Sequence, residues 1–361
     1  CFGPLLAWVL SLWPGRRLPL AIDVTNLGDR FHVLCVSVVV RGVAIPVAWK
    51  VLLGGLKEPW NPHWQDLLRH LKAAVPGDWA VVVLSDRGLE SPELFRFIVG
   101  LDWHPLMRVK KGGKFRPTGW GRFYVMGELV RTAGAAFAAE GRAYAGEKMP
   151  CTLLARWEVG YDEPWLVLTS LPPEAADAVW YGLRAWVEQG FKLIKGGGWD
   201  WQNTRMEDPG RVERLWLVLA VATLWVVALG AEEEVRKGIE AEAKRLEQQL
   251  REAEGQTRSR QERERLRQEK QRQAQEARQA RQQERQRAKK AAAAKKKAGP
   301  ARRSQGKQRA HRVSQRGLAV LKALWQRGEN RLPQCLHPEP WPQSAHSASV
   351  LSEQEFLSQQ T

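Results

Sequence analysis

The chain has 361 residues, with 44% apolar side chains and 18 tryptophans, enough for one large domain or two ordinary ones with a sizeable core. A formal charge of +17 and a pI near 10 point to a polyanionic partner, nucleic acid first and an anionic membrane second. None of the four cysteines is close enough to another for a C-x-x-C metal or redox pair, no disulfide framework is implied, and a reducing cytosol fits.

The opening "CFGPLLAWVLSLWPGRR" is apolar without a basic front region, so it does not read as a signal peptide. "LPLAIDV" (18–24), "FHVLCVSVVV" (31–40) and "GVAIPVAWKVL" (42–52) are β-rich runs separated by short turns, which predicts a three-stranded meander. "NPHWQDLLRHLKAAV" (61–75) has helical periodicity. "WAVVVLSDRG" (79–88) is a buried strand ending in an acid. Ser91 and Pro92 open a second helix as N-cap and first-turn proline, and "HPLMRVKK" (104–111) supplies a fifth strand. The order is β-β-β-α-β-α-β.

Residues 112–172 change to glycine, basic residues and short β-like runs such as "RFYVMG" and "CTLLARWEV", which predicts a β-rich insertion. A helix over 181–198 follows and stops at three glycines. A second one includes "LWLVLAVATLWVVALG" (215–230). These 16 residues fall short of the roughly 20 needed to span a bilayer, so a core helix is expected and no membrane partner.

From residue 232 the composition turns to Glu, Arg, Lys, Gln and Ala, either a long polar helix or a basic arm. Residues 257–298 alone carry 16 Lys and Arg against 5 Glu, without the apolar heptads of a stable coiled coil. A basic linker (299–312), a short amphipathic helix (317–328) and a loose Pro- and Ser-rich end complete the chain. The expected divisions are 1–17, a short helical piece; 18–111 and 173–231, the two parts of a core; 112–172, the insertion; 232–310, the basic helix and linker; and 311–361, a short helix with a disordered tail.

Three acids stand out. Asp23 and Asp86 each end an apolar strand, where a charge is costly unless solvated, paired or metal-bound. Tyr181, Arg184, Glu188 and Lys195 are offset by three, four and seven residues, within about 60° of one another on a helix, and Lys192 joins them. Leu183, Trp186, Val187, Leu193 and Ile194 fall on the opposite side. Carboxylates brought from three elements suit a hard cation such as Mg²⁺, and cations on the same face suit phosphates. Plainer readings stand beside these. Arg184 and Glu188 also form an i,i+4 pair, Asp86-Arg87-Gly88 also reads as a turn, and Asp23 also reads as a cap through Thr25.

Tyr181-x2-Arg184-x3-Glu188-x6-Lys195 matches in full the "YREK" signature of DDE transposases of the insertion sequence 4 family. "AIDVT" (21–25) and "VLSDRG" (83–88) resemble the two aspartate motifs of that family, and "PWLVLTS" and "RMEDPGRVERL" resemble the segments flanking its signature helix. The resemblance covers about residues 18–230. It implies an α/β, ribonuclease H-like catalytic core, a mixed five-stranded sheet with helices, carrying a β-rich insertion and followed by a basic α-helical tail. It further implies that Asp23, Asp86 and Glu188 are catalytic and bind two Mg²⁺ ions, with Mn²⁺ as a substitute. DNA is cut at transposon ends and the freed 3′-hydroxyl joins target DNA, in some members through a hairpin, with no nucleotide cofactor.

The same resemblance gives Tyr181, Arg184, Lys192 and Lys195 to DNA phosphates. It makes Trp165 the platform for a flipped base, with Trp199 and Trp201 as weaker candidates, although Trp165 also reads as ordinary strand packing. Double-stranded DNA, a homodimer on that DNA and a prokaryotic, cytoplasmic, nucleoid-associated location complete the expectation. Family members carry an N-terminal helical domain that reads the terminal inverted repeat. Here about 17 residues precede the first strand, so either that domain is missing or the chain is truncated, which puts sequence-specific end binding in question. Two other functions remain open: an inactive DNA-binding remnant, and a scaffold organised by the basic helix.

Overall fold

The meander forms as the β-branched runs predict. Strands β1 (Arg17–Leu27), β2 (Phe31–Val40) and β3 (Val43–Leu53) pair antiparallel in sequence order. They belong to a computed structural model that describes residues 1–55, 58–281, 306–329, 331–344 and 352–358. Helix α1 (Phe2–Ser11) precedes them and packs Leu6, Val9 and Leu10 into the core. Helix α2 (Asn61–Lys72) leads to β4 (Ala80–Ser85), which lies parallel to β1. Helix α3 (Pro92–Gly100) starts where Ser91 Oγ accepts the Leu94 N–H at 3.2 Å, and leads to β5 (His104–Arg108), parallel to β4.

The region expected to be an insertion extends this sheet. Strands β6 (Lys114–Pro117), β7 (Tyr124–Val125), β8 (Ala136–Ala143), β9 (Met149–Arg156) and β10 (Trp165–Thr169) follow, and β10 pairs antiparallel with β5. The result is a mixed α/β architecture on one sheet of ten strands, in the order β3-β2-β1-β4-β5-β10-β9-β8-β6-β7. The five strands expected for the core are its first half. The β-rich region joins it edge to edge through backbone hydrogen bonds, which periodicity alone does not foretell.

Strand alternation sorts the side chains into two cores. Leu20, Ile22, Val81, Val83 and Met107 face α2 and α3, with Trp64, Leu68, Leu94 and Ile98. Ala21, Val82, Leu84 and Leu106 face the other way, where helix α4 (Ala185–Lys192) and the start of α5 (Pro209–Arg281) bring Val187, Phe191, Val212 and Trp216. Gly190 lets α4 lie on β3, because a Cβ there would stand 2.6 Å from the Ala44 carbonyl oxygen.

Residues Cys1–Glu234 with Gly306–Thr361 form one compact unit, and Val235–Gln305 form a second. In the first, α6 (Gly306–Gln326) crosses the early part of α5 closely: Cβ atoms at Gly230 and Gly317 would meet the carbonyls of Val313 and Val226 at 2.1 and 1.8 Å. Helix α6 begins inside the stretch expected to be a basic linker. The end of the chain, expected to be loose, holds packed parts. Leu336 is fully buried with its N–H on the Leu12 carbonyl, and the short helix α7 (Glu353–Ser358) buries Phe356 against Trp120 and Tyr124. Apolar anchors spaced among Pro and Ser suffice for this, against the loose reading that composition suggests.

The second unit continues as helix to Arg281, so the basic segment 257–298 is helical as far as that residue and otherwise lies outside the described residues. Among the described residues, Pro209–Gln249 is the one helix long and apolar enough to cross a membrane, and 61% of its most apolar window is buried within the protein. All four cysteines are free, and burial pushes the thiols of Cys35 and Cys151 up to about 12.

Candidate active site

Strand register builds the acidic pair. The parallel ladder of β1 and β4 runs to Ile22 opposite Ser85, so the next residues, Asp23 and Asp86, stand side by side. Alternation puts both on the face of Ala21 and Leu84, beneath the α4 region. Asp23 was expected to end its strand. It lies within β1, which continues to Leu27 paired with β2, and it is the parallel pairing to β4 that stops there. The ladder of β4 and β5 likewise runs to Ser85 opposite Met107, which brings Arg108 to the level of Asp86.

Each aspartate uses one oxygen for the backbone and the other for Arg184. Asp23 Oδ1 accepts the Val24 N–H at 2.9 Å, and Asp86 Oδ1 accepts the N–H groups of Gly88 and Leu89 at 2.9 and 3.1 Å. The turn reading of Asp86-Arg87-Gly88 is therefore correct, whereas Asp23 takes its backbone bond from Val24. Arg184 Nη2 donates to Asp23 Oδ2 at 2.8 Å and reaches Asp86 Oδ2 at 3.5 Å, while Nη1 stands 3.8 Å from Glu188 Oε1. One guanidinium thus sits among all three carboxylates.

Exposure rises across the trio. The side chains of Asp23, Asp86 and Glu188 are 12%, 34% and 57% exposed. Burial raises the Asp23 carboxyl above its ordinary value, against the pull of Arg184 and the Val24 N–H, with the neighbouring Asp86 adding to the rise. Burial lowers the Arg184 pKa, but the charges of Asp23, Tyr181 and Asp86 outweigh it and hold the group firmly cationic. Arg184 Nε is buried without a hydrogen-bond partner. Among the described residues, no three His, Cys, Asp or Glu side chains stand closely enough to ligate a metal ion.

The signature segment is not one α-helix. Ala178–Arg184 is a 3-10 turn started by Asp177, which accepts the Val179 N–H at 3.1 Å; α4 follows, and Leu193–Gly197 closes as a π turn before the glycine run. Leu183, Val187, Leu193 and Ile194 are buried as expected. Tyr181 is buried too, packed against Trp165 and beneath the Arg108 guanidinium, so the phenol does not share the exposed face of Glu188 and Lys192. Its pKa is raised by burial, with Arg184 and Arg108 pulling it back, and the Arg108 guanidinium lies 5.5 Å from its ring centre.

Trp165, at the start of β10, is half-buried and meets Tyr181 and Tyr161 edge-on at 5.8 and 5.5 Å. Trp201 is buried against Trp216, which leaves no open ring face for a base, whereas Trp199 is half-buried and donates to Thr223 Oγ1 at 3.0 Å. Lys192 is exposed and Lys195 half-buried, and neither has an ion-pair partner among the described residues. They line a cleft of about 390 Å³ with Gln202 and Ser314, and none of the three carboxylates lines it. Burial lowers the Lys195 pKa.

Sequence reasoning passed over a second cationic group. Arg87 and Arg108 bind Glu163 Oε1 at 2.9 and 2.7 Å, and Lys111 stands 3.7 Å from its Oε2. The available signal was the basic run "RVKK" at the carboxyl end of β5, next to the strand that carries Asp86.

Residues 60–225 match the family model of the transposase DDE domain. The match takes in Asp86 and Glu188 and begins after Asp23, and it supports a DNA transposase. No curated protein gives a significant match. Among solved structures, the piggyBac transposase synaptic complex with hairpin DNA is similar over 58% of this chain and 46% of its own, at 13% identity and a TM-score of 0.36. Human ENDOV is similar over 62% and 89%, at 14% identity and a TM-score of 0.28. Endonuclease V of Ciona intestinalis, in complex with a 23mer DNA, is similar over 55% and 83%, at 13% identity and a TM-score of 0.24. The chain thus spans less than half the length of the piggyBac chain that it matches.

Proposed function

We propose that this protein is a DDE transposase of the insertion sequence 4 type, cutting DNA at transposon ends and joining the freed 3′-hydroxyl to target DNA. The observation that carries this reading is the convergence of Asp23, Asp86 and Glu188 on the single cation Arg184. Carboxylates that repel one another are brought together here from two strands and a helix, an arrangement of little use to stability alone.

The donor set fits a hard divalent cation. It is all carboxylate, without thiol or imidazole, which suits Mg²⁺ or Mn²⁺. Asp23, Asp86 and Glu188 would hold the ions, two in the proposed mechanism. Such ions lower the pKa of water and neutralise charge developing on a phosphate. The remaining work belongs to the chain. The Val24, Gly88 and Leu89 N–H groups fix the aspartate carboxylates in place. Arg184, Lys192 and Lys195 bind phosphates along the strand, and Tyr181 packs beneath Trp165, whose exposed part stacks on a displaced base.

The partners on this reading are double-stranded DNA and a second copy of the chain on that DNA, in the nucleoid region of a prokaryotic cytoplasm. The fold in this reading is ribonuclease H-like, with β6–β10 as the insertion. The test uses supercoiled plasmid with Mg²⁺ or Mn²⁺ and a folded Glu188→Gln control. Metal-dependent nicking that disappears in the control supports the proposal, and equal nicking by both proteins overturns it.

A further inference from the structure

Arg184 carries more than a phosphate contact. Its guanidinium lies where a positive charge between Asp23, Asp86 and Glu188 is needed, at 2.8, 3.5 and 3.8 Å from their oxygens. The same position makes it a competitor. A divalent cation drawn to these carboxylates meets a like charge a few ångströms away, in a pocket partly shielded from water. We infer that Arg184 is the resident counter-ion of the DNA-free acidic pocket, and that a divalent cation enters only by displacing its guanidinium from between the carboxylates. The inference rests on the metal-binding reading of the acidic trio.

Three observations carry it. The trio is not drawn close enough to form a ligand set while the guanidinium stands among its members. Arg184 Nε has no partner in this position although it is buried, so the side chain gives up a hydrogen bond to stay there. Glu188 is 57% exposed and held to Arg184 at 3.8 Å, so the outer side of the pocket opens without disturbing the sheet. A displaced guanidinium leaves with its charge and its full set of donors. That ties its place among the acids to its place in the signature, since the phosphate contact becomes available as the cation arrives.

The test measures Mn²⁺ binding to the full chain without DNA, by the electron paramagnetic resonance signal of free Mn²⁺, for the wild type, Arg184→Gln and Asp23→Asn. Arg184→Gln is expected to bind about tenfold more tightly than wild type, since a cation no longer has a like charge to expel. Asp23→Asn is expected to bind more weakly. Arg184→Lys retains a charge and loses the planar fork that spans three carboxylates. It is expected to bind a few-fold more tightly, and it decides the matter if Arg184→Gln does not fold. Unchanged or weaker binding in the folded Arg184 variants, with binding still lost in Asp23→Asn, overturns the displacement and leaves the metal site standing. Absence of Mn²⁺ binding in every protein overturns both.

Discussion

The aspartates and the glutamate meet one guanidinium by different means. Asp23 and Asp86 are placed by a parallel ladder that ends one residue before each, and each has an oxygen held by backbone N–H groups. Glu188 stands on the open side of α4 with a single ion pair at 3.8 Å. The sheet half of the site is therefore fixed by the fold, and the helix half by how α4 lies on β3. A site that must admit and release a large substrate gains from this division, because one wall of it can shift while the other stays aligned.

The largest effects should fall on chemistry. Glu188→Gln and Asp86→Asn are each expected to lower plasmid nicking by about 100-fold or more. Thermal melting should leave Glu188→Gln at the wild-type value, because its side chain is 57% exposed. A clear drop in melting temperature would show Glu188 to be a structural ion pair and erase the contrast with the sheet half.

Next comes the link between the halves. In metal-free buffer near neutral pH, Arg184→Ala leaves the buried Asp23 carboxylate without its main partner, at a cost of about 3 kcal/mol by urea denaturation. Gly190→Ala tests the helix half alone. Its added Cβ, 2.6 Å from the Ala44 carbonyl oxygen, forces α4 away from β3 and costs about 1–3 kcal/mol. Nicking should fall as well, although no charged group is altered. Nicking at the wild-type level would mean that Glu188 keeps its place independently of that contact.

Much of this was legible in the sequence, and the failures have physical causes. Apolar runs ending at Asp23 and Asp86 located both acids, because a buried strand carries a charge only for a reason. The spacing of Arg184 and Glu188 was enough to pair them. Periodicity could not show that Ala178–Arg184 winds as a 3-10 turn, since offsets of three residues suit both helix types, nor that Trp165 and Arg108 cover Tyr181, which was placed outside and is buried. Nor could it show that Arg184 points into the acids, which depends on contacts 161 and 98 residues apart in the chain. The ion-pair group around Glu163 was hidden for the same reason, its members drawn from β5, its following loop and the turn after β4. Trp201 looked like a stacking candidate because a tryptophan's role depends on exposure, which the sequence alone does not give, and it is buried.

A smaller effect separates the ends of the signature. Lys192 lacks an ion-pair partner among the described residues and lines a cleft that none of the three acids lines. Lys192→Gln is expected to weaken DNA binding modestly and lower the salt slope by about 0.9, the share of one phosphate contact. Nicking per bound DNA should stay the same. A loss of nicking at saturating DNA would place Lys192 in the chemistry with Glu188.

The smallest effect concerns the sheet half alone and is a matter of direction. Burial is the largest influence on Asp23 and raises its pKa above the ordinary 3.8, against the opposing pull of Arg184. A raised folded value means that the native state holds the proton more firmly than the unfolded chain does. The stability this contributes is fully present below 3.8 and is lost as pH rises through the folded value. Asp23→Asn carries no such proton. The stability of wild type minus that of the variant, measured without metal by denaturant titration at a series of pH values, should therefore decrease across that window. A difference that grows with pH would mean that Arg184 outweighs burial, so that Asp23 is ionised more readily in the fold than outside it. The sheet half would then be a well-compensated ion pair, with Arg184 supplying more than burial takes away.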